Sequence, residues 1–233
     1  GDLIPRPSLD DQHKIMTRFY DRVNSDVDII RMINYYVLVT NLFKTSESWP
    51  PKGVQSEEFF LGARRSLSRS EVNLASTRYE VDFSAGTGEA TRWSTQFGTS
   101  PSYKDRRIED QKLVIFESAE VEEPLEIVGD PTVSLYVKTA TSDPAFHVYL
   151  EVVAPDGSVS YLTEGIFRAI HRAPANPSTL PYDMGAKPHS YAKRDVLPIN
   201  PGEMLHVEFA LNPVAARINT GDRIRLAIAG ADS

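Results

Sequence analysis

Apolar and polar residues alternate with a period of two along several short stretches, and that period restricts the fold more than any other feature of the chain. Residues 132–138 put Val133, Leu135 and Val137 on one side, and Phe146, Val148, Leu150 and Val152 repeat the pattern. So do Leu205, Val207, Phe209 and Leu211, and then Ile224, Leu226 and Ile228. Successive side chains of a strand point to opposite faces, so each of these stretches predicts a strand with one buried and one wetter face. Shorter runs at residues 35–40, 79–83 and 113–116 predict further strands, with Tyr79, Val81 and Phe83 sharing a face. Pro155-Asp156-Gly157, Pro201-Gly202 and Thr220-Gly221-Asp222 read as turns between them, because proline presets φ and glycine accepts positive φ. Residues 61–74 are less regular, and residues 173–187 read as a long loop. No alternation of strands with amphipathic helices of about 10–15 residues is present, which excludes a doubly wound α/β fold. The expected body is an all-β sandwich.

One helix precedes it. Ser8 suits the N-cap and Asp11 the N3 position of a capping box. Asp10 and Asp11 complement the positive end of the helix dipole. Leu9, Ile15, Met16, Phe19 and Tyr20 recur at helical spacing, and the stripe ends between Arg22 and Ser25. A lone helix with such a stripe must bury it against something.

Composition removes whole classes of function. With no cysteine among 233 residues, disulfides, zinc knuckles, iron–sulfur ligation and thiol nucleophiles are excluded. A net charge of −7 argues against a nucleic-acid partner. No apolar window approaches the roughly 18 residues of a membrane span, so no membrane partner is expected. Residues 1–20 lack the layout of a signal peptide. The cytoplasm is favoured, with a secreted or periplasmic location open if a leader was removed.

Chemistry-bearing patterns are sparse. No G-x-S-x-G elbow is present, and the serines lie in polar stretches. His13 reads as a helix-surface residue, and His147 and His206 sit on the outward phase of their strands. None of the five histidines has metal-ligand spacing. His171 and His189 are the two that could line a cleft, although ordinary structural roles are the simpler reading. Asn24, Asp26 and Asp28 lack the glycine and terminal glutamate of a calcium loop. Gly86-Thr87-Gly88 lacks a phosphate-reaching lysine. Trp49, Trp93 and Phe97 read as anchors more simply than as a sugar platform. Arg223 and Arg225 read as a charged outer face before they read as buried ion-pair partners. The expectation from the residues is therefore no catalytic, cofactor-binding or metal-binding residue.

Several stretches nevertheless resemble one family in its own order. Pro124-Leu125-Glu126-Ile127-Val128-Gly129 with Pro131, Leu135, Tyr136 and Val137 is followed by Asp143-Pro144-Ala145-Phe146 and Pro155-Asp156-Gly157. Then come Thr163-Glu164-Gly165 and Arg168-Ala169-Ile170-His171-Arg172, and a closing stretch from Pro201-Gly202 through Phe209, Pro213 and Gly221 to Gly230-Ala231-Asp232. Asp222 stands where that closing pattern has a histidine. With Trp49-Pro50-Pro51 ahead of them, these motifs resemble the C-terminal half of the X-Pro dipeptidyl-peptidase-like serine hydrolases. That family includes the cocaine esterases (the CocE/NonD hydrolases), glutaryl-cephalosporin acylases and α-amino-acid ester hydrolases. The resemblance covers nearly all of residues 32–233.

The resemblance implies a jelly-roll-like β-sandwich over residues 32–233, with residues 1–31 as the last helix and linker of an α/β-hydrolase domain. It implies a non-catalytic module that braces a catalytic α/β-hydrolase domain and lines its cleft or an oligomer interface. The Ser-Asp-His triad of such a parent would lie outside these residues, no catalytic role passes to His13, and the chain alone is expected to be inactive. Both ends read as truncated, and a homo-oligomer would be compatible with the family. The alternative is a free-standing carbohydrate- or ligand-binding sandwich. If the helix belongs with a catalytic domain, its apolar stripe is expected to be exposed or packed on another chain.

Overall fold

The computed structural model of the chain describes residues 8–25, 32–70, 73, 75–98 and 101–233. It is a mostly-β fold preceded by one helix. Helix α1 (Leu9–Val23) begins where expected, with the Ser8 hydroxyl accepting a hydrogen bond from the Asp11 backbone N–H at 3.2 Å. A hairpin follows, β1 (Ile33–Val37) and β2 (Leu42–Ser46), and then a two-residue pair, β3 (Phe60–Leu61) with β4 (Leu67–Ser68). The remaining strands are β5 (Val114–Glu120), β6 (Leu125–Gly129), β7 (Thr132–Lys138), β8 (Ala145–Val153), β9 (Val159–Arg168), β10 (Met204–Ala210), β11 (Val214–Ile218) and β12 (Arg223–Ala229).

A four-stranded antiparallel sheet in the order β5-β12-β8-β9 forms one layer. Opposite it lie the antiparallel pairs β7–β10 and β6–β11. The predicted alternation fills the space between: Val133, Leu135, Val148, Leu150, Val152, Leu205, Val207, Phe209, Leu211 and Ile224 belong to one buried cluster. Phe167 and Phe209 stack across it, 4.9 Å apart and 8° from parallel. Each such fully buried apolar side chain contributes on the order of 1.5–3 kcal/mol. Where β9 runs against the β10–β11 connection the backbones come very close. A Cβ on Gly165 would lie 2.7 Å from Leu211 Cδ2 and 2.9 Å from the Ala210 carbonyl.

The hairpin is tied to the β6–β11 pair through Leu38 and through Lys44, whose Nζ donates to Glu126 Oε2 at 2.6 Å. The Leu38 N–H donates to the Ala215 carbonyl at 2.8 Å and the Leu38 carbonyl accepts from Arg217 N–H at 3.1 Å. Strand β1 ends at Val37 rather than running through residue 40, because Val39 and Asn41 take positive φ. The Tyr36 hydroxyl bonds the Asn41 side chain and the Thr40 hydroxyl bonds the Val37 carbonyl, closing the turn.

Two sequence expectations fail locally. Residues 79–83 form no strand: the Asp82 carboxylate accepts from the Ser84 N–H and hydroxyl, an Asx turn that bends the chain. Val81 instead lies against Gly230, where a Cβ would be 2.5 Å from its Cγ2. Nor does the four-stranded sheet have a wet outer face. On β8 every residue from Val148 to Val153 is buried, and Arg225 on β12 is buried too. The loop expected at residues 173–187 is observed and extends to residue 203 without a strand. Asp26 and Asp28 lie outside the described residues, as do the side chains of Trp93 and Phe97.

Candidate functional site

Charged and phenolic residues occur where β8, β9 and β12 point away from the main core. Register sets them in a row across all four strands: Glu117 on β5 opposes Arg225 on β12, Arg225 opposes Glu151 on β8, and Glu151 opposes Tyr161 on β9. In the neighbouring row Tyr149 opposes both Ala227 and Glu164. Residues 84–98 and 101–112, a segment of irregular chain with two short 3₁₀ turns, supply the groups that cover them.

That overlying segment is fastened at several points. Ala85 and Leu113 join Tyr149, Ala227 and Ala229 in a small buried cluster. Arg106 N–H donates to the Val159 carbonyl at 3.0 Å, and Val159 N–H donates to the Asp105 carboxylate at 3.1 Å. The Arg106 guanidinium reaches Glu151 Oε1 at 2.9 Å and the Gly86 carbonyl at 3.2 Å, and lies over the Tyr149 ring at 4.5 Å. Tyr103 stacks on Tyr161 at 3.8 Å, and Arg92 Nε lies 2.6 Å from Glu164 Oε1. Asp110 Oδ2 accepts from Arg225 Nη1 at 2.5 Å, and Glu117 takes the other side of Arg225 at 2.6 Å. Near the end of the chain, Asp232 accepts from the Thr87 N–H at 2.8 Å and from the Tyr149 hydroxyl at 3.0 Å.

Burial makes these contacts consequential. Glu151 is fully buried, and Glu164, Asp110 and Arg106 are no more than 3% exposed. Burial and the neighbouring Asp110 push the Glu151 carboxyl well above the usual range, and Arg106 only partly offsets them. Glu164 is raised by burial, which Arg92 opposes and Asp232 reinforces. Burial works against the Arg106 charge, but Glu151 and Asp110 outweigh it and hold the guanidinium above its ordinary value. The Tyr149 and Tyr161 hydroxyls are raised by burial and by the nearby carboxylates Asp232 and Glu164.

The second distinctive region is apolar and uncovered. No residue of α1 is buried; Leu9 is 65% exposed, Phe19 52%, and Ile15, Met16 and Tyr20 are comparable. At the hairpin, Ile33, Tyr35, Tyr36, Trp49, Val214 and Ala215 line an open groove of about 370 Å³, with Pro213 beside them. Tyr35 and Trp49 meet edge to face at 5.5 Å, and Trp49 Nε1 donates to Asp130 at 3.1 Å. Leu42 and Phe43 are also exposed on the hairpin.

The histidines are dispersed. His13 is exposed on α1. His147 is half-buried, and burial lowers its pKa despite Asp232 nearby. His206 stacks on Tyr136 at 4.5 Å and bonds Ser134. His171 is partly exposed beside Tyr191. His189 is buried, its ring nitrogens facing the backbone carbonyls of Ala173 at 3.0 Å and Glu208 at 2.7 Å rather than a carboxylate. Among the described residues no three His, Asp or Glu side chains are grouped to hold a metal ion, and no helix is long and apolar enough to cross a membrane.

Comparison with known proteins gives this arrangement its context. The family model of the X-Pro dipeptidyl-peptidase C-terminal non-catalytic domain matches residues 24–233. A Mycobacterium bovis protein provisionally named a serine esterase is 35% identical over 238 residues, and a Mycobacterium tuberculosis protein of the same provisional name is equally similar. The alignment takes in 99% of this chain but only 37% of either relative's length. Among solved structures, an α-amino acid ester hydrolase superposes with a TM-score of 0.69 at 19% identity, over 95% of this chain and 37% of its own. A CocE/NonD family hydrolase from Staphylococcus aureus gives 0.66 at 15% identity, over 98% and 39%. An aminopeptidase from a marine sediment Thaumarchaeota archaeon gives 0.63 at 19%, over 95% and 36%. At these identities the structural likeness is one of fold.

Proposed function

The chain belongs to the family of X-Pro dipeptidyl-peptidase C-terminal non-catalytic domains, and from that premise we propose that it braces an α/β-hydrolase catalytic domain through its uncovered apolar surface. Residues 32–233 form the accessory sandwich, of jelly-roll type, and residues 1–31 belong with the hydrolase domain. The parent activity is acyl transfer from an ester or amide to water through a serine acyl-enzyme, with nucleophile, base and oxyanion hole all on the catalytic domain.

One observation carries this reading. A 15-residue helix keeps its whole apolar stripe in water, although helical stability in proteins comes mainly from packing such a stripe. The hairpin groove adds a second apolar surface of the kind that marks an interaction site. The 37% share of the relatives' length that the chain matches leaves room for a catalytic domain in proteins of that size.

Hydrolysis of a p-nitrophenyl acyl ester tests the proposal, comparing the 233-residue chain with a longer polypeptide carrying an upstream G-x-S-x-G elbow. Turnover by the longer form alone, weakened when Phe19 and Ile15 are both changed to serine, is the expected result. Turnover by the chain alone would overturn the non-catalytic assignment, and an unaffected double variant would remove the helix from the interface.

A further inference from the structure

The ionic layer under residues 84–98 and 101–112 leaves Glu151 short of partners. Around Glu151 stand the guanidinium groups of Arg106 and Arg225 and the carboxyl groups of Asp110 and Glu117. Arg225 is already committed to Asp110 on one side and Glu117 on the other. Glu117 is also 3.5 Å from the more exposed Arg223. Glu151 receives a single guanidinium hydrogen bond, on Oε1. Its Oε2, the Asp110 Oδ1 and the Arg106 Nη2 are buried with no hydrogen-bond partner among the described residues, and the two carboxyl groups flank the one Arg106 guanidinium, Glu151 Oε1 at 2.9 Å from Nε and Asp110 Oδ1 at 3.7 Å from Nη2. Two ionised carboxylates are both acceptors, so they can bond each other directly only when one of them holds a proton.

We infer that Glu151 carries a proton in the folded protein and donates it to Asp110, forming a buried acid–carboxylate latch that holds residues 84–98 and 101–112 down on the four-stranded sheet. Asp110 belongs to the overlying segment and Glu151 to β8, so the shared proton fastens one to the other. The groups facing Glu151 are Arg106 and Asp110 from the segment, Tyr149 on its own strand, Arg225 on β12 with Glu117 behind it on β5, and Tyr161 on β9 with Glu164 close by. Loss of the proton leaves two adjacent buried negative charges sharing one guanidinium, and release of the segment into water relieves that repulsion. The latch is therefore shut at neutral pH and opens at alkaline pH, while the strands beneath stay paired.

Hydrogen exchange followed by mass spectrometry on the full chain, between about pH 7 and about pH 10 and corrected for the intrinsic rate, reads the opening directly. Peptides from residues 84–112 are expected to lose protection as pH rises while β8 and β12 peptides keep theirs. In Glu151→Gln, whose amide still donates to Asp110 and cannot ionise, the segment is expected to stay protected throughout. Infrared titration of the wild type needs no variant: the C=O stretch of a buried carboxylic acid should be present at neutral pH and disappear on alkaline titration. Glu164 is a second candidate for such a band, so Glu151→Gln is expected to reduce its amplitude by about half rather than abolish it. A segment equally protected at both ends of the range would overturn the latch. So would an unchanged infrared band in Glu151→Gln, or opening in that variant at the same pH as in the wild type.

Discussion

The outer face of the four-stranded sheet and the first helix invert the usual allocation of polar and apolar groups. Over the sheet, Glu151 and the Asp110 and Arg106 of the covering chain are sealed away from water; on α1, Leu9, Ile15, Met16 and Phe19 stand in water. Burying charge is costly, and it is tolerated only when each charge has partners and a cover. Exposing an apolar stripe forfeits the stabilisation that packing would give. The sheet face is thus a finished surface that supplies its own cover, whereas the helix face is unfinished. That difference separates a face the domain covers itself from one that the proposed function gives to a neighbour.

Arg106→Ala should produce the largest effect, because it removes the guanidinium that Glu151 and Asp110 share and leaves both buried. Breaking one side of a buried pair costs about 3–5 kcal/mol, which a urea midpoint will report. A loss below about 1 kcal/mol would mean that water already enters the layer, and the contrast with the helix would weaken. Gly165→Ala should follow, at about 1–3 kcal/mol, since the new methyl would meet Leu211 Cδ2 and the Ala210 carbonyl in a crowded backbone crossing. Thermal unfolding of that variant asks whether the sandwich itself is as rigid as its cover.

The pH dependence comes next in size and has a definite sign. Folding raises the Glu151 pKa, so the folded state holds a proton that the unfolded chain has released. Its stabilisation is complete below the ordinary carboxylate range and is lost as pH rises through the raised value. Asp143, lowered by the Arg168 side chain, acts in the opposite direction and only in acid. Urea denaturation repeated across pH should show stability falling on the alkaline side, and Glu151→Gln should flatten that limb. A limb of unchanged slope in the variant would assign it to another group.

The inner faces of the strands were legible because each is set by local period. Val133, Leu135, Leu205, Val207 and Phe209 lie where alternation puts them, and Gly157, Gly202 and Gly221 take positive φ in the predicted turns. The outer face was not legible, because its burial depends on a segment some 40 residues away. A signal was present in Glu151, which sits among Tyr149, Leu150, Val152 and Val153 with no polar neighbour to justify an exposed strand. Arg225 was ambiguous for the same reason: alternation gives the side of the sheet on which it points, not what lies there. Residues 79–83 had the right period, but the Asp82–Ser84 turn outcompeted pairing. The helix was legible from its cap and stripe together, but an amphipathic period does not name what covers the stripe.

The smallest effect is expected where the comparison is sharpest. Phe19 touches the ring of Tyr20 at 5.8 Å and is half exposed, so Phe19→Ser should change the stability of this chain by no more than about 0.5 kcal/mol. In a longer protein that seats α1 on a catalytic domain, the same substitution removes a buried aromatic ring and should cost about 2 kcal/mol or more. Paired urea titrations of the two forms measure that difference directly. Equal small costs would mean that the stripe faces water in both, and the helix would have no docking role. Equal large costs would mean that the stripe packs against this chain in solution, making α1 part of the domain's own fold. Only a cost confined to the longer form fits a surface that a neighbouring domain completes.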